Sequence, residues 1–197
     1  MTHPSSERST PSRQLRASDL PITVVQLGIA CMSGDGFQPA HNQTFAGDRG
    51  DKLSVVVDEN HGRMLKIFGP RCVGVTALCL SVVGEVQRKG GLVAFIDLDR
   101  MLDQPMLGEA GVEPNDLLVF QPESVEETYG IVGTLLEQNT IDLLVVDSVG
   151  ALVDGIDPFV EGEELPKAQL AQAAARFEQF LNNTKTAVIL TARTPSY

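Results

Sequence analysis

Short apolar runs alternate with longer amphipathic stretches from residue 64 onward, and this order is the strongest constraint on the fold. The apolar runs are typical of strands buried on both faces, and they lie at 64–68, 92–97, 117–121, 141–147 and 186–191. Apolar residues at helical spacing and a Ser124–Glu127 capping box predict helices at 75–88, 101–110, 124–138 and 168–183. We therefore predict an α/β fold with a mainly parallel sheet sandwiched by helices.

The part of the chain before residue 61 is less regular. Residues 1–20 are rich in Ser, Pro and Arg and lack the apolar region of a secretory signal, which predicts a disordered tail. Residues 21–60 are poorly patterned, and we expect one strand near 22–28 and another near 53–57. Residues 61–197 are then expected to form one core domain.

Charge and composition disfavour several classes of function. The 197-residue chain has a net charge of −11, whereas a free-standing nucleic-acid binder usually has a basic face. Strong direct DNA binding is therefore not expected, and a protein partner is favoured. Three cysteines without metal-ligand spacing predict a reducing, cytoplasmic compartment. No apolar run reaches the about 20 residues that a membrane span requires.

The first core strand leads into a loop that has the pattern of a phosphate-binding site except at one position. The sequence is Gly69-Pro70-Arg71-Cys72-Val73-Gly74-Val75-Thr76, which matches G-x-x-x-x-G-K-[ST] at both glycines and the threonine. Such a loop lets backbone N–H groups and a helix N-terminus face an anion. Valine stands where the pattern has lysine, which reaches the β- and γ-phosphates. Two interpretations stay open: the loop holds phosphate weakly through its backbone, or its role is architectural.

These segments, in their order, resemble the ATPase core of bacterial RecA recombinases. The resemblance runs through residues 62–103, 111–127 and 141–155, weakens over 167–193, and covers roughly 61–193. No convincing match precedes residue 61, where the family has its polymerisation arm. The resemblance implies a RecA-like P-loop NTPase core without the family's C-terminal domain.

The resemblance also implies a role for each matching position, and several positions are altered. Thr76 and Asp147 match the hydroxyl and the carboxylate that support the Mg²⁺ ion of the nucleotide, and Ser148 follows Asp147. For Asp147 and Ser148, a purely structural role at a strand end remains an alternative. Asp99 replaces the family's water-activating glutamate, and its shorter side chain would misplace a general base. Ala192-Arg193 replaces an Asn-Gln pair that senses the γ-phosphate. ATP hydrolysis is therefore not expected. No cofactor is expected, although weak binding of ATP and Mg²⁺ stays open.

The regions that match the family's DNA-binding loops differ as well. The first contains five acidic residues between 154 and 164 against the single Lys167, and this run would repel a phosphodiester backbone. The second would follow the last core strand, and the chain given ends at Tyr197. Independent recombinase activity is not expected.

The resemblance points to two groups of short RecA-like proteins, namely ImuA-type accessory proteins of translesion synthesis and SulA-like division inhibitors. The ImuA-type interpretation is preferred because the sequence is still close to RecA. We therefore expect a catalytically inactive RecA-like protein that binds and modulates RecA or an error-prone polymerase complex in the SOS response. Two alternatives remain, namely a weak or partner-completed ATPase of DNA repair and a SulA-like cell-division inhibitor.

Overall fold

The structure is a computed structural model that describes residues 42–46, 52–57, 64–70, 74–152, 164–182 and 184–194. Its strands are β1 (Asn42–Ala46), β2 (Lys52–Val57), β3 (Met64–Pro70), β4 (Val93–Asp97), β5 (Leu117–Phe120), β6 (Leu143–Asp147) and β7 (Ala187–Thr194). Its α-helices are α1 (Val75–Arg88), α2 (Gln104–Glu109), α3 (Val125–Gln138) and α4 (Glu164–Leu181).

All seven strands belong to one sheet with the order β1-β2-β3-β7-β6-β4-β5. The five strands from β3 to β5 in that order are parallel to one another, whereas β1 and β2 pair antiparallel. This confirms the predicted α/β fold with a mainly parallel sheet. Strand β7 lies between β3 and β6, although it is the last of them in sequence. Because these strands are parallel, the carboxyl ends of β3, β4, β6 and β7 lie at the same edge of the sheet.

An apolar layer lies on each face of the sheet. One layer contains the inner face of α1 and Phe95 of β4. The other contains the inner face of α4, which includes Phe177. Successive residues of β6 alternate between the two layers, and all five residues of β4 and of β6 are buried. Burial on both faces is the reason why these strands read as continuous apolar runs.

Most predicted elements are confirmed within a few residues, and the differences have local causes. Helix α2 begins at Gln104 instead of 101, because the Asp103 side chain accepts a hydrogen bond from Met106 N and caps the helix there. Helix α4 begins at Glu164, four residues before the predicted start. The strand expected near 53–57 is β2. The strand expected near 22–28 and the tail at 1–20 lie outside the described residues.

Strand β1 was not predicted. Its sequence, NQTFA, shows no apolar run, and the strand is defined by antiparallel pairing with β2, from Asn42 opposite Val56 to Ala46 opposite Lys52. Pairing between strands depends on a neighbour and not on local pattern alone. The sheet therefore extends into the segment 21–60.

In the part of the chain that the structure describes, no helix is long and apolar enough to cross a membrane.

Candidate functional site

The second glycine of the phosphate-type loop is required by backbone geometry. Gly74 precedes α1 and has φ 82° and ψ 29°, in the left-handed region that L side chains rarely adopt. Space does not limit this position, because the nearest atom to an added Cβ would be the Cβ of Ala77 at 3.9 Å. The loop pattern thus has a structural explanation at Gly74 that is independent of any ligand. The predicted site residues Arg71, Cys72 and Val73 lie outside the described residues.

Val75, where the pattern has lysine, faces the protein interior. Its side chain is 3% exposed and belongs to the apolar layer beneath α1. A buried isopropyl group offers neither a charge nor a hydrogen-bond donor to a phosphate. The position has therefore become part of the hydrophobic core.

Thr76 and Asp147, which the sequence analysis placed in one site, are in direct contact. Thr76 Oγ1 donates a hydrogen bond to Asp147 Oδ2 at 2.6 Å. The other carboxylate oxygen, Asp147 Oδ1, accepts a hydrogen bond from Thr191 Oγ1, also at 2.6 Å. Asp147 is 1% exposed, and these two hydroxyl groups offset part of the desolvation of its carboxylate. Ser148, directly after it, is also buried.

Thr191 is a site residue that sequence reasoning missed. It is a fully buried threonine of β7, between the four apolar residues at 187–190 and Ala192. A polar residue inside such a run was the available signal, because buried hydroxyl groups need a hydrogen-bond partner.

Arg193 supplies the positive charge of the site. Its Nη2 lies 3.3 Å and 3.4 Å from the two carboxylate oxygens of Asp147 and donates to Thr76 Oγ1 at 3.0 Å. Its Nε lies 2.7 Å from Asp99 Oδ2. From the sequence, Arg193 is only part of a replaced phosphate sensor. The structure shows it in ion pairs with two acidic site residues, and its side chain is 11% exposed.

The register of the sheet explains how Arg193 reaches these residues. Arg193 pairs with Gly69 across β7 and β3, at the level where β3 enters the phosphate-type loop. Strand β7 lies next to β6, which ends at Asp147. An arginine at this point of β7 therefore extends along the edge of the sheet where Thr76, Asp147 and Asp99 lie.

Asp97 at the end of β4 and Asp99 after it have different roles. Asp97 accepts hydrogen bonds from Met101 N at 3.0 Å, Leu102 N at 3.2 Å and Gln121 Nε2 at 3.0 Å. It thereby fixes the turn that leads towards α2. Asp99, which was considered as a shortened general base, has its Oδ2 paired with Arg193 and bonded to no other described group.

Cys79 lies beneath the site on α1. Burial raises the pKa of its thiol well above the usual value, the negative charge of Asp147 raises it further, and Arg193 partly opposes that effect. The thiol is therefore protonated at neutral pH, and a protonated thiol is a poor nucleophile and metal ligand. The described residues contain no group of three or more His, Cys, Asp and Glu side chains placed to hold a metal ion.

The chain is similar in sequence to one known family. The family model for the RecA N-terminal domain matches residues 52–194. Protein RecA of Bdellovibrio bacteriovorus is 40% identical over 134 residues, which cover 65% of this chain and 35% of that protein. Protein RecA of Leptospira biflexa is 39% identical over 134 residues, 65% of this chain and 34% of that protein. Protein RecA of Thermus thermophilus is 37% identical over 134 residues, which cover 65% of this chain and 39% of that protein.

These matches set the extent of the similarity. The chain covers little more than a third of the length of the curated relatives it matches. The family match begins at residue 52 and includes β2. The expected start of the resemblance at residue 61 was therefore too late. Nothing in the apolar run of β2 is distinctive enough to reveal membership without the family's full pattern.

Proposed function

This chain belongs to the RecA family, and from that membership we propose that it is a catalytically inactive member that acts by binding a protein partner. The partner we propose is RecA or an error-prone polymerase complex of the DNA-damage response. The observation that carries the proposal is the burial of Val75 in the core, at the position of the phosphate-binding lysine.

The charge at the site supports the absence of ATP hydrolysis. Phosphoryl transfer depends on cations that offset the charge of the β- and γ-phosphates, and a single well-placed arginine contributes about 10³–10⁵-fold to its rate in related enzymes. Here the lysine position is apolar. Arg193 is already paired with Asp99 and Asp147. No cation among the described site residues is thus left to face a triphosphate.

The outer strand β5 supports a protein partner. Among the described strands β5 pairs only with β4, so it forms one edge of the sheet. Its residues Leu118 and Val119 are 41% and 44% exposed, and as neighbours in a strand they lie on opposite faces. Exposed apolar residues on a sheet edge are typical of a surface that associates with another chain. The net charge of −11 favours a protein over DNA as the direct partner.

The test is to titrate this protein into RecA assembled on single-stranded DNA and to measure ATP turnover and strand exchange by RecA. We expect both rates to change as the protein approaches an equimolar ratio. Val119→Lys should lose the effect, whereas Leu92→Lys should keep it. Leu92 is a matched control because it is 38% exposed and lies outside β5, directly before β4.

Two results would contradict the proposal. If a several-fold excess of the protein changes neither rate, and the same holds for a purified error-prone polymerase complex, the modulator function is wrong. If the protein alone hydrolyses ATP, and Asp147→Asn abolishes that activity, the chain is an enzyme after all.

A further inference from the structure

The guanidinium group of Arg193 joins separate parts of the chain at one point. It contacts Asp99 after β4, Asp147 at the end of β6 and Thr76 in the first turn of α1, while its own backbone belongs to β7. We call these four residues, Thr76, Asp99, Asp147 and Arg193, the arginine clasp. Its members are separated by up to 117 residues in sequence. The clasp therefore exists only because the sheet brings these segments together.

The side-chain oxygens of the clasp do not fit a magnesium ion in this structure. Mg²⁺ needs near-octahedral oxygen coordination at about 2.0–2.1 Å and keeps water molecules around it. The oxygens that the family resemblance assigns to such an ion, on Thr76 and Asp147, instead lie 3.0–3.4 Å from Arg193 Nη2. A divalent ion on these oxygens would stand directly beside a positive guanidinium group. Coulomb repulsion at that distance opposes binding of the ion.

Arginine is well suited to hold two acidic groups together permanently. Its guanidinium group is always charged and has donors in a fixed planar arrangement, so that Nε and Nη2 can contact different carboxylates. Nε faces Asp99 at 2.7 Å and Nη2 faces Asp147. The tether through β7 makes this contact intramolecular, so it needs no dissolved ion and does not depend on ion concentration.

We propose that Arg193 is a resident cation that replaces the divalent ion at this site. It holds Thr76, Asp99 and Asp147 together without metal or nucleotide. The inference concerns cation occupancy and is separate from the proposed partner. It implies that the wild-type protein is indifferent to Mg²⁺ and Mn²⁺. It also implies that removing Arg193 exposes two carboxylates and a hydroxyl group that can then hold a divalent ion.

The test uses the full chain and measures both folding and metal binding. Thermal unfolding is followed by circular dichroism with EDTA or with Mn²⁺, and bound Mn²⁺ is counted from the loss of its free electron paramagnetic resonance signal. We expect Arg193→Gln to unfold at a lower temperature than wild type in EDTA, to bind one Mn²⁺ ion and to recover part of its loss in Mn²⁺. Arg193→Gln combined with Asp147→Asn should not bind the ion.

Arg88→Gln is the matched control. Arg88 also forms an ion pair with an acidic side chain, Glu85, but it is 64% exposed and lies at the end of α1. This variant should resemble wild type in both media, because an exposed ion pair contributes little to stability. Wild type itself should show no shift in unfolding temperature between EDTA and Mn²⁺.

The possible results separate clearly. If wild type binds Mn²⁺ and Asp147→Asn abolishes the binding, the inference is wrong. It is also wrong if Arg193→Gln folds normally and binds no ion. Should Arg193→Gln fail to fold in EDTA, it is refolded in Mn²⁺: recovery of the folded state supports the inference, and failure to recover contradicts it. None of these results depends on RecA titration, so the proposed function can fail or succeed separately.

Discussion

Restoring the missing lysine with Val75→Lys should destabilise the protein without restoring a nucleotide site. The Val75 side chain is 3% exposed, and full burial of a valine contributes about 1.5–3 kcal/mol. A lysine ammonium group cannot stay in the apolar layer, so the side chain must turn towards the edge and its methylene groups fill only part of the space. A positive charge in the first turn of α1 costs about 0.3–1 kcal/mol more. The free energy of unfolding should therefore fall by about 2–4 kcal/mol.

Ala77→Lys separates the packing effect from the charge effect. Ala77 is exposed and lies in the same helical turn, so this variant should lose only the about 0.3–1 kcal/mol that the helix dipole accounts for. Urea unfolding followed by circular dichroism is the suitable assay, because the chain has no tryptophan. Isothermal calorimetry with ATP and Mg²⁺ should detect no binding to either variant, because Arg193 still occupies Asp147. If Val75→Lys is as stable as Ala77→Lys and binds ATP, the assignment of Val75 to the core is wrong.

Two further predictions concern Gly84 and Cys79, which lie on α1. Gly84→Ala should lower the free energy of unfolding by about 1–3 kcal/mol, because the added Cβ would lie 2.8 Å from the backbone oxygen of Ala110. The control Gly130→Ala should be neutral or slightly stabilising, because its added Cβ meets no atom within 4 Å. Equal urea midpoints for the two variants would refute this reasoning. The raised pKa of Cys79 predicts that a protein with its other two cysteines replaced by serine reacts with a thiol reagent only as fast as it unfolds; rapid labelling of the folded protein at pH 7 would contradict this.

Local pattern predicted the parallel core well because both faces of its central strands are buried. Five residues in a row from β4 and from β6 are buried, so the first four residues of each strand are apolar, and only the terminal Asp97 and Asp147 are polar. The Ser124 cap of α3 is confirmed, since Ser124 accepts a hydrogen bond from Glu127 N at 3.0 Å, whereas Glu127 Oε2 accepts from Glu123 N and not from Ser124 N. Strand β1 shows the opposite case, because only its pairing with β2 defines it.

The resemblance to the RecA core also placed Thr76, Asp99 and Asp147 in one site, and the parallel strands bring their carboxyl ends to the same edge of the sheet. Two features were beyond local pattern. The inward direction of Val75 depends on how α1 packs against the sheet. The position of the Arg193 guanidinium depends on the register that sets Arg193 opposite Gly69.

The order of strands and helices, the acidic balance and the loss of the lysine could all be read from the sequence alone, because each depends on residue type and spacing within a short segment. Which side chains surround Asp147 was decided by tertiary structure. Arg193, Asp99 and Asp147 are far apart in the chain, and their charges interact only once β7 inserts between β3 and β6. Electrostatic energy depends on distance in space, and the sheet topology sets that distance.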